Sequence, residues 1–241
     1  MPRTPTLLCL IAIGLNIIFA QTAPAFAPSE NRRNPAPENA ALHAPPPRSV
    51  ALDAVSLLGP EAGSWRGVKT AGPELSFAAY GGPPLPIPGC SFPPDSSAAV
   101  QGFTRWADQR RSAWGMESEF FPMNVWKYNQ IWHISLQPAI GGIPIYGSRL
   151  DGKLNRNGFL YAVRARLFPG QCQDASFHLS DREALSRLTD DPAARLEFSR
   201  TIYYPLQNGG TFELIPAWQI RAVTSQADLR PAGIVDARTG E

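Results

Sequence analysis

The chain has 241 residues, enough for one or two domains, and 44% of them are hydrophobic, enough for a packed core. Lys and Arg number 22 against 20 Asp and Glu, so the formal net charge of +2 gives no case for nucleic acid; no basic run interleaved with aromatics supplies one. Proline is the unusual count, because 15 of the 25 prolines fall between Pro24 and Pro94.

The first residues, 1–25, read as an export signal. Arg3 gives a basic start, and "LLCLIAIGLNIIFA" (Leu7 to Ala20) is an apolar run shorter than the ~18 residues of a membrane span. Ala23 stands at −3 for a cut after Ala25; Ala20 and Ala27 are the other candidate cut sites, and Pro28 hinders the last. An uncleaved anchor is the alternative. Cleavage implies a secreted or periplasmic protein with no stable membrane association, and it leaves Cys90 and Cys172 as a pair in an oxidising compartment. A Cys90–Cys172 disulfide and two unpaired thiols both remain open.

Residues 26–96 carry "PAPENAALHAPPPRS" and "GGPPLPIPGCSFPPDSS". Proline removes backbone donors and glycine loosens the chain, so this segment is expected to be a mostly irregular arm or linker. Within it, Ser49 to Leu58 has the pattern of a short amphipathic helix.

From Ser97 the patterns become regular. "SAAVQGFTRWADQRRSAW" places Val100, Phe103, Trp106 and Ala107 on one helical face and turns Arg110 and Arg111 away. "VWKYNQIWHISLQ" (Val125 to Gln137) alternates as a strand. Gly141-Gly142 turns the chain, Pro144 suits only an edge, and "SRLDGKL" and "FLYAVRARL" flank the turn "NRNG" as a hairpin. In the last strand Phe159, Tyr161, Val163, Ala165 and Leu167 are expected on one face.

A second unit begins at Ser180, which forms a capping box with Glu183 ahead of a helix stopped by Pro192. "RLEFSRTIYYPL" and "TFELIPAWQIRAV" follow as strands around "QNGG", and "GIVDA" is a further strand. Helix then antiparallel strands, twice over, predicts an α+β fold of two small helix-on-antiparallel-sheet units, 97–170 and 171–241. Trp132, Ile134, Leu136, Tyr161, Val163, Leu185, Phe212 and Trp218 are the expected core.

The stretch "IWHISLQPAIGGIPIYGSRLDGKLNRNGFLYAVRARLFPG" resembles the fungalysin/thermolysin propeptide (FTP) module. Gln137, Gly142, Ile143, Pro144, Ile145, Tyr146, Gly147 and Gly158 stand at its motif positions. "LQPAIGG" departs from the pattern, which has a second Gln and a more polar turn there. The part from "LSDREALSRL" through "YYPLQNGGTFELIPAWQIRA" to "IVDARTGE" resembles a PepSY-type module, on Pro216, Ala217, Trp218, Asp236 and Gly240 among others. Together the two cover residues 97 to 241. The resemblance implies cystatin-like units of a pro-region that helps a secreted zinc metallopeptidase fold and then inhibits it. The partner implied is the peptidase catalytic domain, in cis or in trans, and no cofactor is implied. "VDARTGE" stops where the family adds a strand and the peptidase, so the second module reads as incomplete.

The catalytic readings are weaker. A zinc peptidase of this class needs H-E-x-x-H, and neither His43, His133 nor His178 precedes a Glu. Cys172 and His178 lack a third group to position them as nucleophile and base. Ser148 lacks the second glycine of a nucleophile elbow, and the prolines beside Gly81-Gly82 lack the N–H groups that cradle phosphate. The chain is therefore expected not to be an enzyme. Its expected role is that of the pro-region; the alternative is a stand-alone exported module that restrains another protein in trans.

Overall fold

The computed structural model describes residues 49–87, 94–226 and 229–241. The signal-like segment and Cys90 lie outside them. The described residues fall in one unit, Pro46–Glu241, and form an α+β fold of two mainly antiparallel sheets.

The segment expected to be an irregular arm is ordered over 49–87. Asp53 accepts a hydrogen bond from the Ser56 amide at 3.3 Å, and this cap limits the helix to α1 (Ala54–Leu58). Ser49–Ala51 is strand β1 instead of part of that helix. A 3₁₀ turn (Pro60–Ala62) leads to β2 (Arg66–Thr70) and β3 (Leu75–Pro86). Gly81, Gly82, Pro83 and Pro84 sit where the register of β3 breaks, between Tyr80 and Leu85, and Pro86 ends the strand opposite Phe159. A strand tolerates missing donors at such a bulge. Gly82 packs so closely on Trp65 that a Cβ would overlap the indole, and the Trp65 Nε1 donates to the Pro83 carbonyl at 2.9 Å.

Asp95 caps α2 (Ser96–Asp108), accepting from the Ala98 amide at 2.7 Å. The strand expected over 125–137 is a hairpin of β4 (Glu119–Tyr128) and β5 (Ile131–Ile140). Asn129 and Gln130 turn it at φ 47° and 64°. Alternation continues across that turn, so periodicity hid it. Then come β6 (Ile143–Pro144), β7 (Arg149–Leu154) and β8 (Phe159–Leu167). The first sheet has the order β1-β2-β3-β8-β7-β5-β4, with β6 on β5. Thus the proline-rich β3 pairs directly with β8.

Helices α1 and α2 share the core on one face of this sheet, with Phe103, Trp106, Leu136, Leu150, Leu154 and Leu167 fully buried. Each such side chain contributes about 1.5–3 kcal/mol of burial. Arg110 is not turned away. Its guanidinium lies 4.4 Å from the Trp106 ring centre and donates to the Leu58 carbonyl at 2.7 Å. Trp114 Nε1 donates to the Leu57 carbonyl at 2.8 Å. The two close the C-terminal end of α1, whose last carbonyls have no partner within the helix. In β8 a register shift at Tyr161 puts Leu160, fully buried, where Phe159 and Tyr161 were expected; Tyr161 is half-buried and Phe159 exposed.

The second sheet begins with β9 (Gly170–Gln171), parallel to β11. The capping box forms on α3 (Asp181–Leu188): the Ser180 amide donates to Glu183 at 2.8 Å and the Glu183 amide to Ser180 Oγ at 3.3 Å. The strands are β10 (Arg195–Asn208), β11 (Thr211–Val223) and β12 (Ala232–Asp236), in the order β10-β11-β12. Ala184, Leu185, Ile220, Ala222 and Val235 make a small core under α3. Of the residues expected in the two cores, Ile134, Leu136, Val163 and Leu185 are buried, while Trp132, Tyr161, Phe212 and Trp218 are half-buried.

Gly152 on β7 lies under Phe103, and a Cβ there would overlap the ring. Gly152→Ala is expected to destabilise the protein by about 1–3 kcal/mol, because the ring has no free space to enter. A urea midpoint unchanged from wild type would show that this packing is not tight.

Candidate docking surface

Seven of the eight propeptide-motif residues meet in one place. Gly141 and Gly142 take φ of 55° and 81° and reverse the chain, so that Ile143 and Pro144 fold back on Ile140 and Ala139. The Ile145 amide donates to the Pro138 carbonyl at 2.9 Å. The Gln137 side-chain amide then donates to the carbonyls of Ile145 and Ser148, at 2.7 and 2.8 Å. With the turn held this way, the Tyr146 amide reaches the Tyr203 carbonyl on β10 at 2.8 Å, and Ile145 is fully buried. The Tyr146 ring lies 6.0 Å from that of Tyr204. Gly147, at φ 70°, continues into β7 past the Phe168 ring. This turn is the joint between the two sheets. Phe168 against Phe212, with ring centres 5.0 Å apart, and the β9–β11 pairing extend it.

Gly158 is not part of the joint; it closes the turn between β7 and β8, its amide donating to the Asn155 carbonyl at 2.9 Å. Pro216, Trp218, Asp236 and Gly240 form a separate group on the second sheet. The Ala237 amide donates to the Pro216 carbonyl at 2.9 Å, and Trp218 Nε1 to the Leu179 carbonyl at 2.8 Å. The Gly240 amide, at φ 81°, donates to the Asp236 carbonyl at 2.9 Å, while the Asp236 carboxylate accepts from the Arg238 amide at 2.7 Å. These contacts hold the last turn on β11.

Among the described residues Cys172 has no disulfide partner; its expected partner, Cys90, lies outside them. Burial pushes the Cys172 thiol up, and a hydrogen bond from Tyr203 acts against this. Tyr203 is pushed up to about 12, by burial first and then by Cys172. Among the described residues no three His, Cys, Asp or Glu side chains group to hold a metal, and no helix is long and apolar enough to cross a membrane.

A different feature escaped the reading by periodicity. The two helices pack on one face of the first sheet, and among the described residues no helix covers the other. Register places Trp126, His133, Lys153, Ala162, Tyr80 and Arg66 in one row across it, and Asn124, Ser135, Asp151, Arg164, Ala78 and Val68 in the next. Strand β4 ends the sheet, and all of its residues except Phe120 are exposed. Tyr128 is 67% exposed and Trp126 42%, with Met123 and Phe121 similarly open. Trp126 stacks on His133 at 5.0 Å, giving the hairpin a stiff aromatic tip. Burial first, then Lys153, hold the His133 imidazole below its ordinary value, so it is neutral at pH 7. Pro122 and the bulge beside it guard half of the edge; Val125 to Tyr128 has only Lys127. A single signal pointed here: the two aromatic residues, Trp126 and Tyr128, on one face of "VWKY".

Two outcomes are expected from this geometry. Gln137→Ala removes the side-chain donor to the Ser148 carbonyl and one of the two donors to the Ile145 carbonyl, which should cost about 1–3 kcal/mol and speed exchange of the Tyr146 amide more than that of α3 amides. Uniform exchange changes across both sheets would refute the clamp. Cys172, protonated at neutral pH, should alkylate several-fold more slowly in the native chain than in urea, with peptide mapping separating it from Cys90. Equal rates would show an unperturbed, accessible thiol.

No protein-family model matches the chain, and no curated protein matches it. Among solved structures, the Bacillus megaterium YpeB C-terminal domain is similar over 73% of this chain and 79% of that one. Identity is 14% and the TM-score 0.34, a likeness too slight to carry an argument about fold or function.

Proposed function

We propose that the chain is a non-catalytic pro-region of a secreted zinc metallopeptidase of the thermolysin or fungalysin type. In this reading residues 97–170 are an FTP-like module and 171–241 a PepSY-like one, and residues 1–25 direct export. The peptidase catalytic domain is the partner, reached in cis or in trans.

One observation carries the docking part of the reading: the run of exposed apolar side chains on edge strand β4, from Phe121 to Tyr128. Soluble proteins leave such runs where another surface covers them. Each aromatic side chain buried there contributes about 1.5–3 kcal/mol to binding. A rigid sheet held to a second sheet by the joint presents a preformed template. Such a surface stabilises a folding partner most where the partner's own transition state is poorest in contacts, and so lowers its barrier. Bound to the finished partner, the same surface restrains it.

The experiment is to refold a denatured thermolysin-like catalytic domain with and without the chain, then assay the native enzyme on a small peptide. Faster recovery and inhibition at micromolar chain are expected. Trp126→Ser with Tyr128→Ser should weaken both by at least about tenfold, the equivalent of 1.4 kcal/mol. A cognate catalytic domain that is neither refolded nor inhibited would leave the stand-alone binding module as the better reading.

A further inference from the structure

We infer that the uncovered face of the first sheet docks an acidic protein surface. This rests on the reading of the chain as a docking module, and it names the chemistry of the partner. Five cations stand on that face by register, Arg66, Arg149, Lys153, Arg164 and Arg166, and all are exposed. Two have local carboxylates. Arg149 Nε donates to Asp151 at 2.7 Å, and Arg166 Nε to Glu74 at 3.4 Å. Arg66, Lys153 and Arg164 have no ion-pair partner among the described residues.

This is segregation rather than bulk basicity, since the whole chain carries only +2. Neighbouring strands lie about 4.8 Å apart, so the five steps from β4 to β2 span about 24 Å. A twisted area of that width, with cations across the middle and Trp126 and Tyr128 at one side, has the make-up of a protein interface with an aromatic anchor and a charged field. Facing like charges without compensation is unfavourable, and an acidic surface supplies the compensation.

Nucleic acid fits less well. Asp151 sits in the centre of the face between Arg149 and Arg164, where a phosphate backbone would meet a carboxylate. One face of the Trp126 ring is already taken by His133.

The test compares the full chain with two double variants of equal net charge. Lys153→Glu with Arg164→Glu changes the face; Arg182→Glu with Arg195→Glu changes α3 and β10. Each takes the formal charge from +2 to −2, since every reversal removes one positive and adds one negative charge. The probes are poly-L-glutamate, a single-stranded DNA oligonucleotide of matched charge, and a thermolysin-like catalytic domain, each at about 20 and about 300 mM salt, where the Debye length is about 21 and about 6 Å. Poly-L-glutamate should bind at least about tenfold more weakly to the face variant, and within about twofold of wild type to the control, with the difference lost at high salt. Circular dichroism checks that both variants fold; Lys153→Gln with Arg164→Gln replaces a face variant that does not. Equal losses in both variants would reduce the effect to net charge and overturn the inference. Tighter binding of DNA than of poly-L-glutamate, through the same two residues, would overturn it too. A catalytic domain that binds wild type and both variants alike keeps the pro-region reading and rejects this face. The expected poly-L-glutamate pattern with no binding of the catalytic domain does the reverse.

Discussion

The bond from the Tyr146 amide to the Tyr203 carbonyl ties the turn after β5 directly to a strand of the second sheet. It exists because Gln137, one residue on β5, holds both carbonyls of the turn that presents Tyr146. The second sheet depends on this. Its own core under α3 is small, and Tyr203 and Leu214 from its strands belong to the core of the first sheet. A sheet with so little apolar area of its own gains stability mainly by lending residues to a larger neighbour.

The larger sheet is asymmetric. On the covered side, aromatic contacts among Phe103, Trp106, Trp114 and Phe120 run beneath α2 and its following turn. Arg110 and Trp114 reach back to α1 and bring the first strands into the same core. Among the described residues before α2, α1, the 3₁₀ turn and β3 complete that core, and β1 and β2 widen the sheet.

The uncovered side follows from the same strands read at the other parity. Alternation that sends Ile134 and Leu136 inward sends His133 and Ser135 outward, and the Arg residues of β8 with them. Buried Ser135 is sealed there by Asp151 and Arg149, at 2.6 and 2.9 Å. The face thus has a polar, well-tied centre and an aromatic margin at β4.

The sequence by itself determined what depends on residues close along the chain. The capping box at Ser180, the turns at Asn155–Gly158 and Asn208–Thr211, and the inward set Ile134, Leu136 and Val163 were legible because neighbours within four residues specify them. The motif residues of the joint were visible as a pattern, but their task was not, because Tyr203 lies far from Tyr146 in sequence. Tertiary structure alone decided that a proline-rich segment becomes β3. Its pairing with β8 supplies hydrogen bonds that its own composition argues against, and the bulge absorbs the prolines. It also decided that Leu160 replaces Tyr161 in the core, that Arg110 turns inward, and that one sheet face stays bare. Each of these depends on partners more than fifty residues away or on a register shift, and local propensity carries no information about either.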